Sequence, residues 1–242
     1  MATKTSSTNL KNRVNKLYLP RTTPLLPLFE VISNSIHSID EIRKTDPNFK
    51  GDILVSPIRR GIPEVLADLP DIEPYPIISF SVKDNGIGLH KDNFESFREF
   101  DSEYKSKIGG KGIGRLVCLK AFNKLIVKSI FKEDDSYKFR NFEYKKSKEG
   151  FEGYDDGTST EMKTGTSVVL SEMEPEYLKQ SPLEILEIAR QIISHFQLYF
   201  IQEMEPNIII RDQNNIEKNL STLYSQEFDK QILKDEFTIN TK

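Results

Sequence analysis

Apolar residues at Leu28, Phe29, Ile32, Ile36, Ile39 and Ile42 recur at helical spacing, so the chain up to Arg43 reads as a long helix with one face in a core. Pro24 and Pro27 open it at positions where a missing amide proton costs little. Glu30, Asn34 and His37 follow one another at four and three residues and form a second, polar stripe beside the apolar one, available to a pocket. Short apolar runs with strand composition lie at 53–56, 77–82, 125–130, 137–144, 166–170 and 207–211. Further helices are predicted from Asp92 through Phe100, from Gly112 through Phe122, and from about Pro182 to Phe200 with Ile185, Ile188, Ile192, Ile193 and Phe196 inward.

The intervening segments are polar. Residues 1–20 read as a mobile N-terminal arm, 59–76 as a proline-rich surface loop, 101–111 as a charged lid ending in glycine, and 145–164 as a loop. Residues 21–211 then form the main domain, with 212–242 as a C-terminal extension or the start of a following module. This order of elements predicts an α+β fold, a two-layer sandwich with a mixed β-sheet and helices on one face.

Composition narrows the function more by exclusion than by assertion. With 34 basic and 37 acidic side chains the net charge is −3, which gives no electrostatic commitment to nucleic acid or anionic lipid. No run approaches the roughly 20 apolar residues that cross a bilayer, and no secretory signal opens the chain. The single cysteine, Cys118, excludes an internal disulfide, fits a reducing cytoplasm and sits in an apolar segment as a small core residue. His37, His90 and His195 have no cysteine partners at zinc-ligand spacing.

Three polar segments carry candidate chemistry. Gly109, Gly110, Gly112 and Gly114 precede a helix at Arg115, but Lys111 is followed by glycine rather than Ser or Thr, so this is no P-loop. Nor is there a glycine at position 115 to complete a dinucleotide fingerprint. Such a loop can lay backbone amides on phosphate oxygens at the positive end of a helix, with Lys111 and Arg115 adding charge. A flexible turn before a helix is an equal reading of that segment alone. Asp84, at a strand end before Asn-Gly-Ile-Gly88, is either a plain turn or a half-buried carboxylate that accepts from adenine's exocyclic amine. Gly86 and Gly88 would let a flat ring approach the backbone. Glu30 and Asn34, one helical turn apart, suit a general base beside a magnesium ligand, or else a solvated helix face.

Taken in order, Glu30-Val-Ile-Ser-Asn34, Asp84-Asn-Gly-Ile-Gly88, Gly109 to Gly114 and Gly165-Thr166 resemble the four motifs of the gyrase, heat-shock chaperone, histidine kinase and MutL (GHKL) ATPases, whose nucleotide site is called the Bergerat fold. The resemblance covers residues 24 to about 172. It implies Mg2+-dependent ATP binding and hydrolysis, with Glu30 as general base, Asn34 as magnesium ligand and Asp84 as adenine reader. It also implies that Gly109, Gly110, Lys111, Gly112, Ile113, Gly114, Arg115 and Leu116 contact phosphate, and that Thr166 supports Asp84 and a water. Members that hydrolyse ATP carry a carboxylate at the place of Glu30, which favours hydrolysis over phosphotransfer to histidine. A homodimer closed by the N-terminal arm and lid is implied as well, with a downstream effector that the motifs do not identify. The chain departs from the pattern at His37, where hydrolysing members usually have aspartate; Asp40 is the candidate substitute. An ATP-sensing scaffold with negligible turnover, and a histidine kinase catalytic domain, are the competing expectations. Asn34-Ser-Ile-His-Ser-Ile is also similar to bacterial ATP-binding proteins of this group, many associated with antiphage defence.

Overall fold

Alternating burial along the strands explains how the sheet presents one face to a layer of helices. In a computed structural model, which describes residues 10–60, 75–98, 113–147 and 150–227, eight strands form one mixed sheet. They are β1 (Asp52–Arg59), β2 (Ile77–Asp84), β3 (Phe122–Glu133), β4 (Ser136–Lys145), β5 (Phe151–Thr158), β6 (Gly165–Met173), β7 (Asn207–Arg211) and β8 (Glu217–Asn219). Their spatial order is β5-β4-β3-β6-β2-β1-β7-β8. Among the described residues only the β1–β7 pair is parallel. The α+β class is therefore as the sequence predicts.

Strand register aligns inward side chains in rows across the sheet. Val55, Val82, Val168, Val127 and Phe142 make one apolar row. Two residues along each strand, on the same face because side chains alternate with period two, lies the row Ile53, Asp84, Thr166, Ser129 and Arg140. A polar lane thus runs beside the core, at one end of the strands.

Over this face lies α2 (Leu26–Arg43), which packs on β2, β6 and α4 (Gly114–Ala121). Its inward stripe of Leu28, Ile32, Ile36 and Ile39 is almost completely buried, as the periodicity predicts. The helix α3 (Lys91–Arg98) covers the other end of the sheet, where Phe94 and Phe97 join Phe142, Tyr144 and Phe151 in an aromatic cluster.

Several boundaries differ from the sequence reading. Residues 10–16 form α1 (Leu10–Lys16) rather than part of an arm: Leu10 and Val14 are buried one turn apart, and the helix packs on α4. Leu19 is buried as well, and its carbonyl accepts the Tyr177 hydroxyl at 3.1 Å. Residues 1–9 lie outside the described residues. The segment expected to be a loop at 145–164 contains β5, held at the sheet edge because Phe151 pairs with Tyr144 and enters the aromatic cluster. Its glycines and acids look like a turn in sequence, yet an edge strand tolerates both.

The long helix predicted from Pro182 is divided. It forms α6 (Ile185–His195) and α7 (Gln197–Ile201), with α5 (Pro175–Leu178) just before. Phe196 leaves helical geometry at φ −103°, ψ 22° and tucks its ring beside Phe29. Beyond residue 211 the chain stays on the domain through β8 and α8 (Leu220–Glu227), whose Leu220, Leu223 and Tyr224 enter the same core. Arg190 of α6 fixes the end of α8 by pairing with Glu227 at 2.8 and 3.0 Å. One core thus extends from Leu10 to Tyr224, wider than the 21–211 domain read from the sequence. Among the described residues no helix is long and apolar enough to cross a membrane.

Candidate functional site

Asp84 ends β2 on the inner face, and its carboxylate is held from three sides. Oδ1 accepts the Gly86 amide at 2.9 Å and the Thr166 amide at 3.2 Å; Oδ2 accepts the Ser35 hydroxyl at 2.8 Å. The residue is 7% exposed. Burial raises its pKa from the ordinary 3.8 to about 6, against the downward pull of those three donors. A carboxylate so oriented keeps spare lone pairs for a further donor.

The loop after Asp84 is clamped between α2 and β3. A Cβ at Gly86 would lie 2.3 Å from Ser38 Oγ, and the Ile87 amide donates to the Ser38 carbonyl at 3.2 Å. Gly88 adopts φ +83°, and a Cβ there would lie 2.2 Å from the Ile130 carbonyl oxygen. Both positions need glycine for close approach, and the second also for backbone angle. Asn85 points outward, bonded to the Asp52 amide at 2.8 Å and so to the start of β1.

Five residues before Ser35, or roughly 7–8 Å along the helix axis, Glu30 faces the start of α4. A Cβ at Gly114 would lie 2.4 Å from Glu30 Oε2, so the carboxylate rests on the first residue of that helix. Complete burial of Cys118, with the Glu30 charge adding to the effect, holds its thiol well above the usual range. Cys118 is thus an inert core residue, as its apolar neighbours predict. Asn34, one turn along α2 from Glu30, is exposed.

The structure therefore gathers Asp84, Gly86, Gly88 and Thr166 beside the middle of α2, at Ser35 and Ser38, while Glu30 meets Gly114 of α4 nearer the start of α2 and Asn34 is exposed on that helix. Ile113 precedes α4 and supplies no side-chain cap, while Leu116 is buried in the core. Gly109, Gly110, Lys111 and Gly112 lie outside the described residues. Arg115, expected to contact phosphate, is engaged with α3 in this structure. Its guanidinium donates to the Phe97 and Arg98 carbonyls at the end of α3 and lies 5.5 Å from the Phe97 ring centre. That pattern makes it a clasp on α3.

Asp40, the candidate substitute beside His37, pairs with Arg43 at 3.2 Å, and His37 is exposed. Ser35, which the motif reading passed over, is the α2 residue that bonds Asp84 directly. Ser129 and Arg140 were missed too, because only strand pairing brings them level with Thr166. Helical spacing, by contrast, could have found Ser35, which follows Asn34 on the face turned towards the sheet.

Among the described residues no group of three or more His, Cys, Asp or Glu side chains is arranged to hold a metal. Magnesium, however, commonly takes one or two protein oxygens and completes its octahedron with phosphates and water. The exposed Asn34 amide, one turn from a carboxylate, fits that mode of binding. No protein-family model matches the chain, and no curated protein matches it.

Proposed function

We propose that this chain is a Mg2+-dependent ATPase module of the GHKL type. The observation that carries the reading is Asp84, a buried carboxylate at a strand end, fixed by Ser35, Gly86 and Thr166 beside a glycine loop. An exocyclic amine satisfies such an acceptor, whereas a guanine carbonyl oxygen would meet it lone pair to lone pair. A hydrogen bond to a charged group contributes about 1.5–3 kcal/mol, or one to two decades of affinity.

In this reading the base stacks over the Gly86–Gly88 loop and the triphosphate runs along α2 towards the first turn of α4. Asn34 would hold a magnesium ion, whose chemistry there would be to neutralise charge on the phosphates. Glu30 takes the proton of the attacking water. Its present place against Gly114 supports a base located where α4 begins, at the positive end of the helix. The same contact favours, as second reading, an ATP-sensing module with negligible turnover, in which Glu30 stays on α4.

Phosphate release from ATP separates the two. Hydrolysis by the wild type, lost in Glu30→Gln with ATP affinity retained, supports the ATPase. Tight ATP binding without phosphate release supports the sensor. An unchanged rate in Glu30→Gln overturns the role of that carboxylate.

A further inference from the structure

Between the base-contacting loop and the strand carrying Thr166 stands a single buried hydroxyl, that of Ser129. The residue is 2% exposed, lies on β3 directly opposite Thr166, and belongs to none of the four motifs. Its Oγ accepts the Leu89 amide at 2.8 Å, lies 3.0 Å from Thr166 Oγ1, and donates to the Gly165 carbonyl at 3.1 Å. The Leu89 carbonyl is held in turn by Arg140 Nη1 at 2.6 Å, and Arg140 is the cross-strand partner of Ser129 on β4. Two facing side chains on adjacent strands thus grip both polar groups of one residue, immediately after Gly88.

A hydroxyl has one proton and two lone pairs. With its proton on Gly165, Ser129 accepts from both Leu89 and Thr166, and every one of its valences is used. Thr166 Oγ1 is then a donor towards β3, and its lone pairs are left for the cleft. With the proton turned to Thr166 instead, Thr166 has its own proton free to donate. The state of one buried hydroxyl therefore sets the polarity that Thr166 shows beside Asp84. Meanwhile the Leu89 bond holds the loop whose Gly86 amide orients Asp84 Oδ1.

We infer that Ser129 is a positioning residue for purine selectivity: through Leu89 and Thr166 it fixes the direction in which Asp84 meets the base. The inference rests on the adenine reading of Asp84 and adds a residue outside its motifs. A role confined to folding would weaken all nucleotides alike. A positioning role acts on the preference for ATP over purine riboside triphosphate, which lacks only the 6-amino group.

Calorimetry of both nucleotides against wild type, Ser129→Ala, Ser129→Cys and Ser129→Thr tests it. Cysteine nearly preserves volume while weakening the hydrogen bonds, so it serves if the alanine variant does not fold. The wild type is expected to prefer ATP by tenfold or more. Alanine and cysteine should reduce that preference at least threefold, and threonine should restore it. An unchanged preference in the alanine or cysteine variant, whatever happens to the individual affinities, overturns the role of Ser129 alone. A wild type that binds neither nucleotide, or binds both equally, overturns the adenine reading and this inference together.

Discussion

Replacing Asp84 by asparagine should make the nucleotide-free protein more stable while destroying its function. The rise of the carboxyl from 3.8 to about 6 on folding means that the native state holds this proton more tightly than the unfolded chain. Stability from this group is therefore fully present below pH 4 and is lost as pH rises through 6. At pH 7.5 the ionised, buried form costs about 3 kcal/mol. Asparagine removes the charge and keeps the bonding: Oδ1 still accepts from Gly86 and Thr166, and Nδ2 donates to a rotated Ser35 hydroxyl. The rotated Ser35 hydroxyl loses Oδ2 as its acceptor, which offsets part of the gain. A net stabilisation of about 1–2 kcal/mol at pH 7.5 remains, corresponding to a rise of several degrees in Tm for a chain of this size. Urea and thermal unfolding of both proteins from pH 4 to pH 8 measure it. The gap should fall by about 3 kcal/mol and change sign as pH falls towards 4, because only the wild type gains from protonation. A variant less stable than wild type at pH 7.5, or a gap independent of pH, refutes the reasoning.

Two further substitutions probe the scaffold. Gly88→Ala places a methyl 2.2 Å from the Ile130 carbonyl at φ +83°; it should cost about 2 kcal/mol or more and abolish ATP binding, read by chemical denaturation and calorimetry. Val14→Ala opens a cavity where α1 meets α4, and with Val14 only 1% exposed it should cost about 2 kcal/mol in urea unfolding. No change in stability would mean that α1 behaves as the free arm read from the sequence.

What the sequence disclosed, and what it hid, follow from the range of the interactions involved. The amphipathic stripe of α2 and the strand runs at 53–56 and 77–82 were legible because their burial is decided by neighbours three, four or two residues away. Asp84 and its glycines were legible for the same reason, since a turn is local. Phe151 was not: β5 becomes a strand only when an aromatic ring 7 residues back in the chain, Tyr144, lies across from it. Leu10 and Val14 gave too short an apolar pattern to reveal a helix whose partner, α4, lies a hundred residues on. Arg115 reads as a phosphate contact because it adjoins glycines; its bonds to the carbonyls at the end of α3 are ones that no spacing rule anticipates. Ser129 and Arg140 reach the site by strand register, a property of the pairing rather than of either strand.

The central claim is that Asp84 accepts from a purine amine while α2 serves the phosphates. Isothermal calorimetry with Mg2+ and either ATP or GTP tests it most directly. The account predicts saturable binding of ATP, at least tenfold weaker binding of GTP, and loss of ATP binding in Asp84→Asn despite a well-folded protein. Equal affinity for the two nucleotides, or ATP binding that survives in Asp84→Asn, would contradict it.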